Sequence, residues 1–310
     1  MKKIFLSFLG FAAIGYTSFA QTTTFDSQNA RDGETVEYCK THKKQAELLL
    51  NPAYLQSEMQ DAIIRAQEEA AAANGGTPEA TTYYVPIVFH LLHNNGNEFI
   101  SDDQILDAFE ILNRDYDLQN ADANNVVNAF NASNPSATAI PFDPDIQFVL
   151  ATKAPNGTCF SGITHTVSTA TNNGSSGGSQ VNAIINGNDV YNGEWPGNKY
   201  LNIFICADIG EAAGYTFKPS NWVGSGMDNG IWVLHNYVGS IGTSSAGTSR
   251  TLTHECGHWL NLDHVWGGTN NPGLASNCNS DDAVDDTPDC IGLTSCNLNS
   301  NSCSGDNSYW

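Results

Sequence analysis

Apolar positions divide the chain into a short leading run, a polar stretch with two helical patterns, and a longer part that mixes strands with helices. The leading run extends from Ile4 to about Tyr16 and is too short to span a bilayer. Leu55, Met59, Ile63, Ala66 and Ala70 then recur at helical spacing, with acids and Gln on the opposite face, which predicts a helix over 55–73 after a shorter one over 45–50. Asn74-Gly75-Gly76-Thr77-Pro78 breaks the pattern and reads as a processing linker. From residue 83 the periodicity changes. Residues 83–92 are β-rich, with Pro86 marking a strand start or edge. Ser101-Asp102-Asp103-Gln104 is a capping box for a helix whose stripe is Ile105, Leu106, Phe109, Leu112 and Tyr116. That helix should pack behind a sheet. Further strands are expected over 146–151, 200–206 and 230–235, and the Gly/Ser/Asn-rich stretch 171–180 reads as a surface loop.

Composition narrows the class. The 310 residues suffice for one large domain or two smaller ones, and 40% hydrophobic content with 10% aromatics supports a packed core. Against 33 acidic residues stand only 12 Lys and Arg, a formal charge of −21. Such a field repels phosphate backbones and argues against a nucleic-acid partner. Lys2-Lys3 before the leading apolar run and Ser18-Phe19-Ala20 after it make residues 1–20 a secretory signal peptide. No Cys follows the cleavage site and no other apolar run reaches 18 residues, so the expectation is an exported protein with neither lipid anchor nor membrane span. Nothing in the sequence fixes an oligomeric state.

Export makes the eight cysteines oxidisable. Cys278, Cys290, Cys296 and Cys303 crowd into one loop-like stretch, which suggests disulfide stapling with three internal connectivities open. Cys39 stands alone near the N-terminus and Cys256 lies two residues from His254, on another helical face, where it should be buried and inert.

The candidate chemistry lies in Thr253-His254-Glu255-Cys256-Gly257-His258-Trp259-Leu260-Asn261-Leu262-Asp263-His264. On a helix, His254 and His258 share one face, where neutral imidazoles can hold zinc, and Glu255 sits beside the open position. His264 can join them only if the chain reverses, and Asn261 tolerates the left-handed conformation that a reversal needs. Three nitrogen ligands with an open fourth position describe catalytic zinc. His90, His93, His165 and His235 lack ligand spacing and read as structural or surface residues. Five acids, Asp281, Asp282, Asp285, Asp286 and Asp289, fall within nine residues and repel one another unless solvated or neutralised, for example by calcium.

This stretch resembles the metzincin zinc signature His-Glu-x-x-His-x-x-Gly-x-x-His, with Asn261 at the glycine position. The run His-Glu-Cys-Gly-His-Trp-Leu-Asn-Leu-Asp-His-Val-Trp-Gly is similar to the pappalysin family, in particular its secreted bacterial members. The resemblance implies an α+β zincin domain over 81–310. Its sheet would be twisted, mixed and mostly parallel, with a backing helix, an active-site helix and a loop-rich, disulfide-stapled C-terminal part. Residues 21–80 would form a prosegment. It further implies zinc on His254, His258 and His264, Glu255 as general base and acid, and protein or peptide substrates pairing with an edge strand near 230–235. Cys39 would act as a cysteine switch on the zinc, Cys278 would bridge to Cys303, and Asp282, Asp286 and Thr287 would contribute to a structural calcium site. Metzincins carry a methionine turn beneath the zinc, whereas Met1, Met59 and Met227 all precede the motif here. The sequence is therefore expected to stop short of that turn. Were it complete, the alternative would be a catalytically incomplete scaffold serving as a secreted binding or adhesion protein; a non-peptidase zinc hydrolase is a third reading, because the zinc apparatus alone would also serve other hydrolyses.

Overall fold

The computed structural model describes residues 34–52, 82–123, 143–222, 224–284 and 289–293, with positions 54–56, 58, 59, 62, 63, 125 and 303. The stretch 1–20 expected to be a signal peptide, the linker expected at 74–78, and Asp286 and Thr287 lie outside the described residues. A six-stranded sheet is organised on the long strand β1 (Tyr83–His93). β2 (Ile146–Leu150) runs along its first half and β3 (Ile163–Val167) along its second half on the same side. On the other side β4 (Leu201–Cys206) pairs with Ile87–Leu91. Pro86 thus falls where β1 has a neighbour on one side only, and its missing N–H is tolerated there. Beyond β4 come β6 (Ile231–Leu234) and then β5 (Gly214–Thr216), the one antiparallel strand among those described. The strand expected over 230–235 is therefore interior, a correction to its predicted place at the substrate edge. Three-residue β5 takes the edge instead, and Gly-Tyr-Thr is too short to register as a strand in sequence.

Residues 87–93 of β1 are all buried because both faces are covered. Ile87, Phe89 and Leu91 pack with Ile105, Ala108 and Leu112 of helix α2 (Asp102–Tyr116). On the opposite face Val88 and Leu92 join Trp195 and Val181 and Ile184 of helix α3 (Gly177–Gly187). Full burial of each large aliphatic contributes about 1.5–3 kcal/mol. α2 starts at the expected cap, where Ser101 Oγ accepts from the Gln104 N–H at 3.3 Å. Its stripe is rotated from the expected one: Leu106, Phe109 and Tyr116 are only partly buried, while Ala108 and Ile111 are fully so. α3 overturns the loop expected through residue 180. Two glycines weaken a helix start by about 1 kcal/mol each, but a Cβ on Gly177 would lie 2.9 Å from Tyr215 Oη and 3.1 Å from Trp232 Cζ2. Glycine is needed there for close approach to the sheet.

His90 sits wholly inside the sheet. Asn202 Nδ2 donates to the Trp195 carbonyl at 2.9 Å, so its Oδ1 must accept from His90 Nε2–H at 3.1 Å, and Thr164 Oγ1 lies 2.9 Å from Nδ1. Burial pushes His90 down to about 4. Its folded value lies below the unfolded one, so the contribution is complete above pH 6.5 and declines as pH falls towards 4. Urea unfolding should show about 2 kcal/mol of His90-dependent stability lost between pH 7.5 and 5, and His90→Gln should remove that increment.

Candidate metal centre

Helix α4 (Thr251–Trp259) carries the zinc-type motif and is pinned to the end of α2. Thr253 Oγ1 donates to Asp115 Oδ2 at 2.9 Å, and the Arg250 guanidinium grips both Asp122 oxygens at 2.7 and 2.6 Å. α4 stops in a Schellman turn. Asn261 has φ of 77°, its N–H reaches the His258 carbonyl at 2.9 Å, and the Leu262 N–H reaches the Gly257 carbonyl at 3.0 Å. The reversal returns His264 to the face that carries His254 and His258. Asn261→Val should cost about 1–2 kcal/mol, because a branched side chain is strained in the left-handed region, whereas Asn261→Gly should cost nothing. Denaturant melts of the two variants check this.

The three imidazoles converge through Nε2. His258 Nε2 lies 3.2 Å from that of His254 and 3.2 Å from that of His264, and Cys39 Sγ lies 3.4 Å away. His258 Nδ1 is 2.8 Å from the Leu262 carbonyl and His264 Nδ1 is 2.9 Å from the Thr269 carbonyl. A carbonyl only accepts, so both Nδ1 atoms carry the proton and both Nε2 atoms present lone pairs. Burial and the neighbouring imidazoles hold both rings well below the usual histidine range. Lone pairs 3.2 Å apart repel, so the contact between His258 and His264 is not a hydrogen bond between rings. Tetrahedral ligands at about 2.0–2.1 Å from zinc would stand about 3.3 Å apart, which matches. The donor set of Cys39, His254, His258 and His264, all within 4.8 Å of one another, can hold one soft or borderline divalent ion.

Glu255 is fully buried beside this point. Its Oε2 accepts from Thr41 Oγ1 at 2.9 Å, and its buried Oε1 has no hydrogen-bond partner among the described residues. Burial pushes the carboxyl up to about 8, with the Thr41 and Cys39 contacts acting in the opposite direction. Burial and then the Glu255 charge push the Cys39 thiol well above its ordinary range. A cation at the centre would favour the ionised form of both.

Thr41 and Cys39 belong to an N-terminal segment seated over the site. Helix α1 (Thr41–Leu48) begins four residues earlier than predicted, because Thr41, a weak helix former, is engaged with Glu255 and with the Thr216 N–H, at 2.9 Å. His42 Nε2 meets Asp263 Oδ1 at 2.6 Å, and the buried Lys218 ammonium meets the same oxygen at 2.8 Å. Although burial opposes it, these partners hold the Asp263 carboxyl well below its usual range. Tyr38 packs against the rings of His254, His264 and Trp266. Thr41, His42, Lys218, Asp263 and Asn270 were not singled out from the sequence. Only the adjacency of Thr41 and His42 to Cys39 offered a clue.

Cys256 is buried in the core with its thiol pushed well above the ordinary range by burial. His93 stacks on Phe99 at 4.0 Å, and His165 lies 3.0 Å from Asp102, both away from the centre. Cys278 and Cys303 form a disulfide. Of the acids near 282, Asp282 is buried and accepts from the Val284 N–H at 3.1 Å. Leu55, Met59 and Ile63 are exposed, so the described part of that predicted stripe does not serve the core.

Residues 185–310 match the family model described as pregnancy-associated plasma protein-A. Mature mirolysin of Tannerella forsythia, solved in complex with a cleaved peptide, is 30% identical with a TM-score of 0.54, covering 69% of this chain and 74% of that one. A promirolysin mutant of the same organism is 27% identical with a TM-score of 0.58, covering 81% and 76%. An extracellular metalloprotease of Sordaria macrospora is 33% identical over 93 residues, which are 29% of this chain and 30% of that protein. The matched stretch thus spans under a third of that curated relative.

Proposed function

Because the chain belongs to the pappalysin family of metzincin metalloproteases, we propose that it is an exported zinc endopeptidase kept latent by its residues 21–80. The observation that carries this reading is the convergence of three imidazole Nε2 atoms and one thiol beside a buried carboxylate. His254, His258 and His264 would hold the zinc, with Cys39 filling the fourth position in the latent chain. Zinc, when bound, supplies Lewis acidity. The remaining work falls to the chain's own groups. Glu255 takes a proton from the attacking water at a carboxylate oxygen and returns it to the leaving amine. The substrate lies extended along β5. The Gly214 carbonyl and Thr216 N–H, which engage the Lys40 N–H and Thr41 Oγ1 in the latent chain, would then serve the substrate main chain.

Latency follows from occupancy. Cys39 stands at the fourth ligand position beside the three imidazoles, Thr41 holds the general base and residues 37–41 cover the sheet edge. Export rests on the predicted signal peptide and agrees with the naming of the relatives as extracellular. The test compares the intact chain with chain severed by limited proteolysis after folding. Intact protein should leave a denatured protein substrate uncut, severed protein should cut it, and intact Cys39→Ala should show partial activity. Equal cleavage by intact and severed wild type would contradict latency.

A further inference from the structure

The segment over the site is gripped from two sides. On one side the grip is main chain to main chain. The Glu37 N–H reaches the Glu211 carbonyl at 2.9 Å, the Ala213 N–H reaches the Glu37 carbonyl at 2.6 Å, and the Lys40 N–H reaches the Gly214 carbonyl at 3.0 Å. On the other side the main chain of the segment is met by the side chain of Asn270. Asn270 Nδ2 donates to the Cys39 carbonyl at 2.5 Å, and Asn270 Oδ1 accepts from the His42 N–H at 3.0 Å. A carbonyl accepts and an N–H donates, so these partners fix the amide orientation. Asn270 is buried, and both of its amide ends are matched to peptide main chain. One side chain thereby does what a neighbouring strand would do.

Its position is tied to the metal centre. The carbonyl of Thr269, the preceding residue, accepts from His264 Nδ1 at 2.9 Å and from Trp266 Nε1 at 3.0 Å. The bonds that orient the third imidazole therefore also set the height of Asn270 beside it. Because both contacts go to backbone atoms of the guest, they carry no information about its side chains.

From this geometry we infer that Asn270 is a main-chain clamp for whatever polypeptide lies in the cleft: the N-terminal segment in the latent chain, and the substrate opposite β5 in the active one. The second half rests on the endopeptidase reading; the first does not. Aspartate cannot replace it, since it offers no donor to the carbonyl, and alanine offers neither group. Two neutral hydrogen bonds at about 1 kcal/mol each correspond to roughly 10–30-fold in occupancy.

The test uses Asn270→Ala and Asn270→Asp in the full chain, with zinc content and melting temperature confirming that each variant folds. Iodoacetamide labelling is followed by mass spectrometry at Cys39, with exposed Cys159 as internal reference. Both variants should label Cys39 roughly 10–30-fold faster than wild type. After severing, both should raise KM by a similar factor, with kcat within about twofold, and by the same factor for substrates of unrelated sequence. Unchanged Cys39 labelling overturns the clamp. So does loss of zinc from the variants, which would make Asn270 a support for the His264 loop, or a KM penalty confined to one substrate sequence. If severed wild type cleaves nothing, the endopeptidase reading and the substrate half fall, while the labelling result still decides the clamp on the N-terminal segment.

Discussion

Glu255→Gln lowers kcat of the severed enzyme by roughly 10²–10⁴-fold, the usual contribution of a positioned general base and acid, and leaves zinc content unchanged. Glutamine keeps the size of the side chain and an oxygen for the Thr41 hydroxyl, which donates to Glu255 Oε2 at 2.9 Å, so the α4 surroundings stay intact. What it lacks is an oxygen that can take and return a proton. Glu255 is not placed as a metal ligand: the converging donors are three imidazoles and a thiol. Steady-state hydrolysis of a denatured protein, read with metal content on the same preparations, checks the prediction. A variant that loses zinc along with activity would assign Glu255 to metal binding, and one that cleaves normally would remove it from the chemistry.

Gly214→Ala gives the second large effect, through space rather than charge. A Cβ there would lie 2.7 Å from Glu255 Cγ, 2.8 Å from Oε1 and 3.0 Å from Thr251 Cγ2. Glu255 is buried beneath the edge strand and Thr251 begins α4, so neither can swing into solvent. Relief must come from moving the carboxylate or the strand. Overpacking of this kind costs about 1–3 kcal/mol, and a misplacement near 1 Å of a reacting group costs about 10²-fold in rate. The expected outcome is a modest drop in melting temperature with a roughly hundredfold loss of kcat. A severed Gly214→Ala protein with wild-type kcat would show that Glu255 is not held against β5 during turnover.

The sequence made legible those features that are local. His254 and His258 share a face because of helical spacing, and the turn at Asn261 followed from its tolerance of positive φ. Ser101 declared the start of α2. The run over 83–92 read as a strand because its residues are β-formers, and from Ile87 onward both of its faces are buried. The features it hid depend on contacts between distant parts of the chain. β5 is three residues long and exists because β6 pairs with it. α3 begins on two glycines whose purpose appears only when Tyr215 and Trp232 are packed against Gly177. Asn270 lies 231 residues from the Cys39 carbonyl that it holds, and Lys218 and His42 reach the same Asp263 oxygen only once three separate stretches have been folded together. A lone Asn in a polar loop carries no periodicity from which such a role could be read.

X-ray absorption at the zinc K-edge of the intact chain tests the account most directly, because it reads the metal and its ligands together. The account predicts one zinc per chain with three nitrogens at about 2.0–2.1 Å and one sulfur at about 2.3 Å, the sulfur disappearing in Cys39→Ala and on severing. An intact chain that binds no zinc, or whose zinc shows no sulfur neighbour, would contradict it.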